Sequence, residues 1–149
     1  MKFKKEILIV GGTGFIGYHL AKKSLAKGMS VTSISTNKPK AIRYLPKVKY
    51  LICDITKKEK LKKCIRKNFQ YVVNLGGYVD HSKKIKTFNS HFLGCKNLTE
   101  IFINKKPKAF VQMGSSIEYG RSLSPHKESF KCYPKSVYGK AKLLSSKYL

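Results

Sequence analysis

This 149-residue sequence predicts a doubly wound parallel α/β sheet. Three observations predict it. Short β-branched runs alternate with amphipathic stretches along the whole chain. The first run ends in a glycine-rich loop, "GGTGFIG", which opens directly into the first amphipathic stretch. The length suits one domain with a sizeable core. Alternating strands and helices bury both faces of a sheet when each crossover returns the chain parallel to its start. The expected strand order is 3-2-1-4-5, with helices on both sides.

The elements follow in order. "EILIVGG" is apolar, β-branched and closed by glycines, which reads as a buried strand. "FIGYHLAKKSLAKG" places Phe15, Ile16, Leu20, Ala21 and Leu25 on one face and stops at Gly28, an amphipathic helix with a glycine cap. "SVTSIS" reads as strand two and, after a lysine-rich loop, "VKYLICD" as strand three. "KKEKLKKCIRKN" is a polar helix turning Leu61 and Ile65 inward, and "QYVVNLGG" is strand four. "TFNSHFLGCKNLTEIFINKK" is a longer helix with Phe92, Leu98, Ile101 and Phe102 on its apolar side. "KAFVQMGSS" is strand five. A loop carrying Pro125 and Pro134 leads to a last helix from about Ser136.

Composition narrows the function classes. Hydrophobic residues make up 42%, which rules out a disordered composition. No run of about 18 apolar residues marks a membrane span. The N-terminal run is broken by Glu6 and lacks a small-residue cleavage site, so a signal peptide is not expected. Cys53, Cys64, Cys95 and Cys132 are widely spaced with no CxxC pair, which reads as reduced thiols in a cytoplasmic protein. No spacing among the histidines suggests a metal site. Lys+Arg is 32 against 7 for Asp+Glu, a net charge of +25, which raises a nucleic-acid reading. The excess is nearly all lysine and is scattered, whereas base readout prefers arginine, so no dedicated nucleic-acid partner is expected. An anionic small substrate would gain from the same field.

The glycine loop carries the first chemistry. Gly11, Gly14 and Gly17 lie at GxxGxxG spacing between strand one and helix one. Glycines there allow a tight turn, close approach to a pyrophosphate and close helix packing, and the helix N-terminus offers free N–H groups to phosphate. Thr13, Phe15 and Ile16 fill the same cofactor-binding loop. A dinucleotide is the expected ligand. Ser35 stands where NAD binders usually place an acid at the end of strand two, and Lys38 follows it, which leaves NAD or NADP open and leans to NADP.

Six pieces, in order, resemble the extended short-chain dehydrogenase/reductase family, the nucleotide-sugar epimerases and dehydratases. They are "GGTGFIG", Asp54 in "LICDIT", "NLGG", "GCKNL", "GSSIEYG" and "PKSVYGKAKL". The resemblance implies a Rossmann domain over residues 1–149. It adds Asp54 and Ile55 near the adenine, and Leu75, Gly76 and Gly77 along the cofactor, to the cofactor-binding set. It implies Ser115, Tyr138 and Lys142 as catalytic residues, the last two also touching the cofactor. The choice of Ser115 over Ser116 is one of register. Asp54 also fits a plain strand-end turn former. Departures exist: His91 stands where many members carry asparagine, and Ser35 replaces the strand-two acid.

Tyr138 and Lys142 lie four apart, hence on one helix face. By resemblance, the tyrosine exchanges a proton with a sugar hydroxyl while hydride moves at the same carbon. The expected activity is epimerisation or keto reduction of a nucleotide sugar. Dehydration is the nearest alternative, disfavoured because Glu118 is out of register for the extra acid. A non-catalytic NAD(P)-binding protein is a further alternative, and a basic nucleic-acid binder a remote one. Family members continue well past this helix, so the resemblance implies that the C-terminal substrate domain is missing. It also implies that the isolated piece binds cofactor weakly and is inactive, and that the full-length protein is a candidate homodimer.

Overall fold

The computed structural model describes residues 5–149. Met1 to Lys4, the start of the basic N-terminal stretch, lie outside the described residues. Five strands form one parallel sheet in the order β3-β2-β1-β4-β5, as expected. They are β1 (Glu6–Val10), β2 (Ser30–Ser35), β3 (Val48–Ile52), β4 (Tyr71–Asn74) and β5 (Ala109–Gln112). The helices are α1 (Phe15–Ala26), α2 (Lys58–Cys64), α3 (Lys84–Phe88), α4 (Gly94–Phe102) and α5 (Val137–Tyr148).

Strand side chains alternate between faces, and a sheet covered on both sides needs apolar residues at every position. β1 shows this directly. Leu8 and Val10 enter one core with Ile34, Val72, Leu61, Ile65, Leu98 and Phe102. Ile7 and Ile9 enter the other with Val31, Val48 and Ala21 of α1. Burying a Leu or Ile side chain is worth about 1.5–3 kcal/mol, so β1, central and buried on both faces, anchors the sheet.

Three local features differ from expectation. In α1 the buried residues are Gly17, Ala21 and Ser24, while Phe15 and Ile16 are 65% and 54% exposed. The helix lies so close to the preceding loop that a Cβ on Gly17 would collide with the Gly11 carbonyl. Only small side chains fit that seam, so the apolar stripe turns outward at its start. The helix does end as read, with Gly28 at φ +74.

α2 is shorter than its polar pattern suggested, ending at Cys64, though Leu61 and Ile65 are buried. The long helix is continuous in backbone but not regular. A π-helical stretch, Asn89–Leu93, joins α3 to α4, with right-handed helical dihedrals on both flanks. Its Phe92 and Ile101 are partly buried, and Leu98 and Phe102 fully so. A three-ten turn, Ser116–Tyr119, follows β5, and α5 is capped by the Ser136 hydroxyl, which accepts from the Gly139 amide (3.0 Å).

Candidate functional site

All strands are parallel, so the loops after β1, β2, β3, β4 and β5 emerge at one edge. In open α/β sheets ligands bind in the crevice outside these carboxyl ends. The glycine loop turns there. Gly11 takes φ +79, a left-handed conformation that favours glycine, and its amide donates to the Ile34 carbonyl (2.7 Å). A Cβ at Gly11 would meet the Leu75 carbonyl at 3.0 Å, so loop one and loop four are in close contact. Leu75 donates in turn to the Val10 carbonyl (3.0 Å). The Gly14 N-cap offers no side chain to the first turn of α1, which keeps its amide donors available. A dinucleotide pyrophosphate fits this cradle: glycine backbone, no side chain over it, and a helix N-terminus behind.

The other cofactor candidates spread along the same edge. Ser35 accepts a bond from the Thr13 amide (3.4 Å) and so ties the end of β2 to the loop. Asp54 accepts from the Thr56 amide (2.9 Å), the strand-end turn the sequence also allowed. It lines a cleft of about 420 Å³ with Thr36, Gly77, Tyr78, Lys86 and Asn89. Ile55 has its side chain buried against Gly94 and Gly76. Its carbonyl accepts from Asn97 (2.8 Å), locking β3's end onto α4. Lys38 is exposed. Arg43, at the end of the three-ten turn Ala41–Arg43, places its guanidinium 5.9 Å from the Phe15 ring centroid at the start of α1.

At the β5 end, Lys142 is buried, only 4% exposed, and donates to the Met113 carbonyl (2.6 Å). Burial pushes its ammonium below the usual lysine range, opposed by the nearby Glu118 charge. The same ammonium lies 5.8 Å from the Tyr138 ring centroid. Ser115 caps the three-ten turn, its hydroxyl accepting from the Ile117 amide (3.4 Å). Glu118, set aside in the sequence, completes that capping box, accepting from the Ser115 amide (2.7 Å) and the Ser146 hydroxyl (3.0 Å). It fastens α5 to the loop bearing Ser115. A buried carboxylate so engaged is a structural clasp.

Two histidines surround Tyr138. His81 stacks on the phenol, with centroids 4.1 Å apart and planes 15° apart. His91 meets it edge-on at 4.8 Å and is itself buried. A Cβ on Gly77 would collide with the His91 ring, so glycine there makes room for it. His91 Nε2 faces the Tyr78 carbonyl (3.3 Å), and Nδ1 is buried without a partner. Burial, and then the Lys142 charge, push the His91 imidazole down to about 4, so it is neutral at pH 7. The convergence of the two imidazoles on one ring carries no signal in the sequence, because His81, His91 and Tyr138 are far apart in it.

Among the described residues no group of three metal-binding side chains forms, and no helix is long and apolar enough to cross a membrane.

Comparison with known proteins gives consistent findings. The family model described as the NAD dependent epimerase/dehydratase family matches residues 7–149. A bifunctional UDP-glucose 4-epimerase and UDP-xylose 4-epimerase of Pisum sativum is 26% identical over 157 aligned positions, covering 93% of this chain and 45% of the relative. A UDP-N-acetyl-alpha-D-glucosaminuronate decarboxylase of Bacillus cytotoxicus is 27% identical, covering 84% of this chain and 41% of the relative. The chain therefore spans less than half the length of these relatives. The solved UDP-glucose 4-epimerase of Thermotoga maritima with UDP-glucose superposes with TM-score 0.88 at 23% identity, over 96% of this chain and 49% of that one. The Bordetella bronchiseptica enzyme WbmG in complex with NAD gives TM-score 0.88 at 21% identity, over 99% and 50%. The two structures establish likeness of fold.

Proposed function

Because this chain belongs to the NAD dependent epimerase/dehydratase family, we propose that it carries the cofactor-binding and proton-transfer parts of a nucleotide-sugar epimerase or keto-reductase. One observation carries the reading. Lys142 is a buried ammonium anchored on the Met113 carbonyl and turned toward Tyr138, a helical turn earlier on α5. A buried cation is unfavourable unless its charge is used. Here it would stabilise the Tyr138 phenolate, the form that can accept a proton from a sugar hydroxyl and later return it.

The fit of the glycine cradle extends the proposal to the cofactor. Gly11, Gly14 and Gly17 would hold the pyrophosphate, with Thr13, Phe15 and Ile16 around it, Asp54 toward the adenine and Leu75 to Gly77 along the middle. NAD, when bound, supplies hydride acceptance and return. Tyr138 takes a proton from a sugar hydroxyl and gives it back. Ser115 orients the reacting oxygen. The family's description names NAD, and nothing around the exposed Lys38 supports the NADP lean, so NAD replaces it. Dehydration ranks below epimerisation because the Glu118 carboxylate is committed to Ser115 and Ser146.

The test has two parts. Isothermal titration with NAD and with NADP reads the cofactor, and tighter NADP binding would overturn the choice. Conversion of UDP-glucose by the protein, followed by NMR, reads the chemistry. Tyr138→Phe is expected to remove most turnover and spare NAD binding, and unchanged turnover refutes the role.

A further inference from the structure

His81 sits on a turn built to hold it. The Asp80 carboxylate accepts from both the Ser82 hydroxyl (2.6 Å) and the Ser82 amide (3.1 Å), bonds that hold it below the usual carboxylate range. The Lys83 amide donates to the Asp80 carbonyl (3.3 Å), and the Thr87 hydroxyl reaches the same carbonyl (3.4 Å) from α3. The turn is thus closed on itself through Asp80 and tied to α3 through Thr87. At that tip the imidazole lies nearly parallel to the Tyr138 ring, while His91 meets the same ring edge-on. The two imidazoles are themselves 6.0 Å apart at 72°.

Tyr138 is half-buried near the start of α5, and any swing about χ1 moves its hydroxyl, so the direction of that hydroxyl needs a restraint. Aromatic contacts with defined geometry supply that restraint. We propose that His81 is a positioning residue for Tyr138, its imidazole clamping the phenol face so that the hydroxyl is held in one direction. The inference rests on the acid/base reading of Tyr138. The direction matters because proton transfer requires hydrogen-bond reach, and a misplacement of about 1 Å can lower a rate on the order of a hundredfold.

The experiment uses the protein with NAD and UDP-glucose as probes. His81→Ala is expected to lower kcat about tenfold, with KM for UDP-glucose and NAD affinity little changed. His81→Phe, which restores a flat ring, is expected to recover most of the loss. A raised KM with unchanged kcat would mean that His81 binds substrate instead, and overturns the clamp. If Tyr138→Phe abolishes turnover while His81→Ala leaves kcat unchanged, the clamp fails and the acid/base reading stands. If Tyr138→Phe retains full turnover, both fall. A measurement without turnover completes the test. The His81 ring proton in a histidine-labelled NMR spectrum should shift on Tyr138→Leu more than those of His19 and His126, and an unmoved resonance overturns the stack.

Discussion

Acidification should reveal His91. In the folded chain its imidazole is buried at 6% exposure, beside the Lys142 ammonium, the His81 ring and the Tyr138 phenol, with only the Tyr78 carbonyl as a partner. Its affinity for a proton falls from 6.5 to about 4. As the pH drops below 6.5, the unfolded chain takes up a proton that the folded chain refuses. Unfolding is thereby favoured, and the stability present above pH 6.5 is lost progressively down to about pH 4. At 1.36 kcal/mol per pH unit the loss totals roughly 3 kcal/mol, most of it by pH 4.5. That is a large part of a typical domain's margin. Urea unfolding at intervals from pH 7 to 4.5, for the native chain and for His91→Asn, isolates it. The variant should be less stable at pH 7, because it loses ring packing, and the gap should close by about 2–3 kcal/mol on acidification. Parallel pH profiles for the two proteins would refute the argument.

Further outcomes follow from other positions. Gly14→Val should weaken NAD binding at least about tenfold in titration, near 1.4 kcal/mol, while circular dichroism stays native. Gly77→Ala puts a methyl into the His91 ring, and should lower urea stability by about 1–3 kcal/mol; a neutral change would show that the ring moves freely. Glu118→Ala leaves the Ser115 amide without its acceptor and removes the Ser146 clasp, and should cost about 1–3 kcal/mol in the same assay. Equal stability would mean water replaces the carboxylate.

The sheet was legible because β1 is apolar on both faces, because β2 and β4 send Val31 and Val73 to one core and Ile34 and Val72 to the other, and because the glycine triplet sits between a strand and a helix. Tyr138 and Lys142 were legible because four residues make one helical turn. What stayed hidden depends on contacts between distant segments. Phe15 and Ile16 fit an inward stripe by periodicity, but the Gly17 seam, set by the Gly11 carbonyl, turns them outward. Glu118 looked out of register for chemistry; its use is set by Ser146, a helix away. His91 reaches Tyr138 through space that Gly77 leaves for its ring, and His81 reaches it from a different segment.

The π-helical stretch Asn89–Leu93 has a consequence for phase. Each residue of a regular α-helix advances about 100°, so a wider turn inserts an angular offset between what comes before it and what comes after. Upstream, Thr87 faces the Asp80 turn; downstream, Asn97 and Leu98 face β3 and the sheet. These two docking directions need not belong to one helical face, and the stretch lets each be met separately. Deleting a single residue between Asn89 and Leu93 would restore regular winding and swing α3 about a quarter-turn relative to α4. The Asp80 turn would lose its Thr87 tether and His91 its place above Gly77, while the sheet packing of Leu98 and Phe102 could survive. In this chain the angular setting of one wide turn couples the sheet's core to the aromatic cluster around Tyr138.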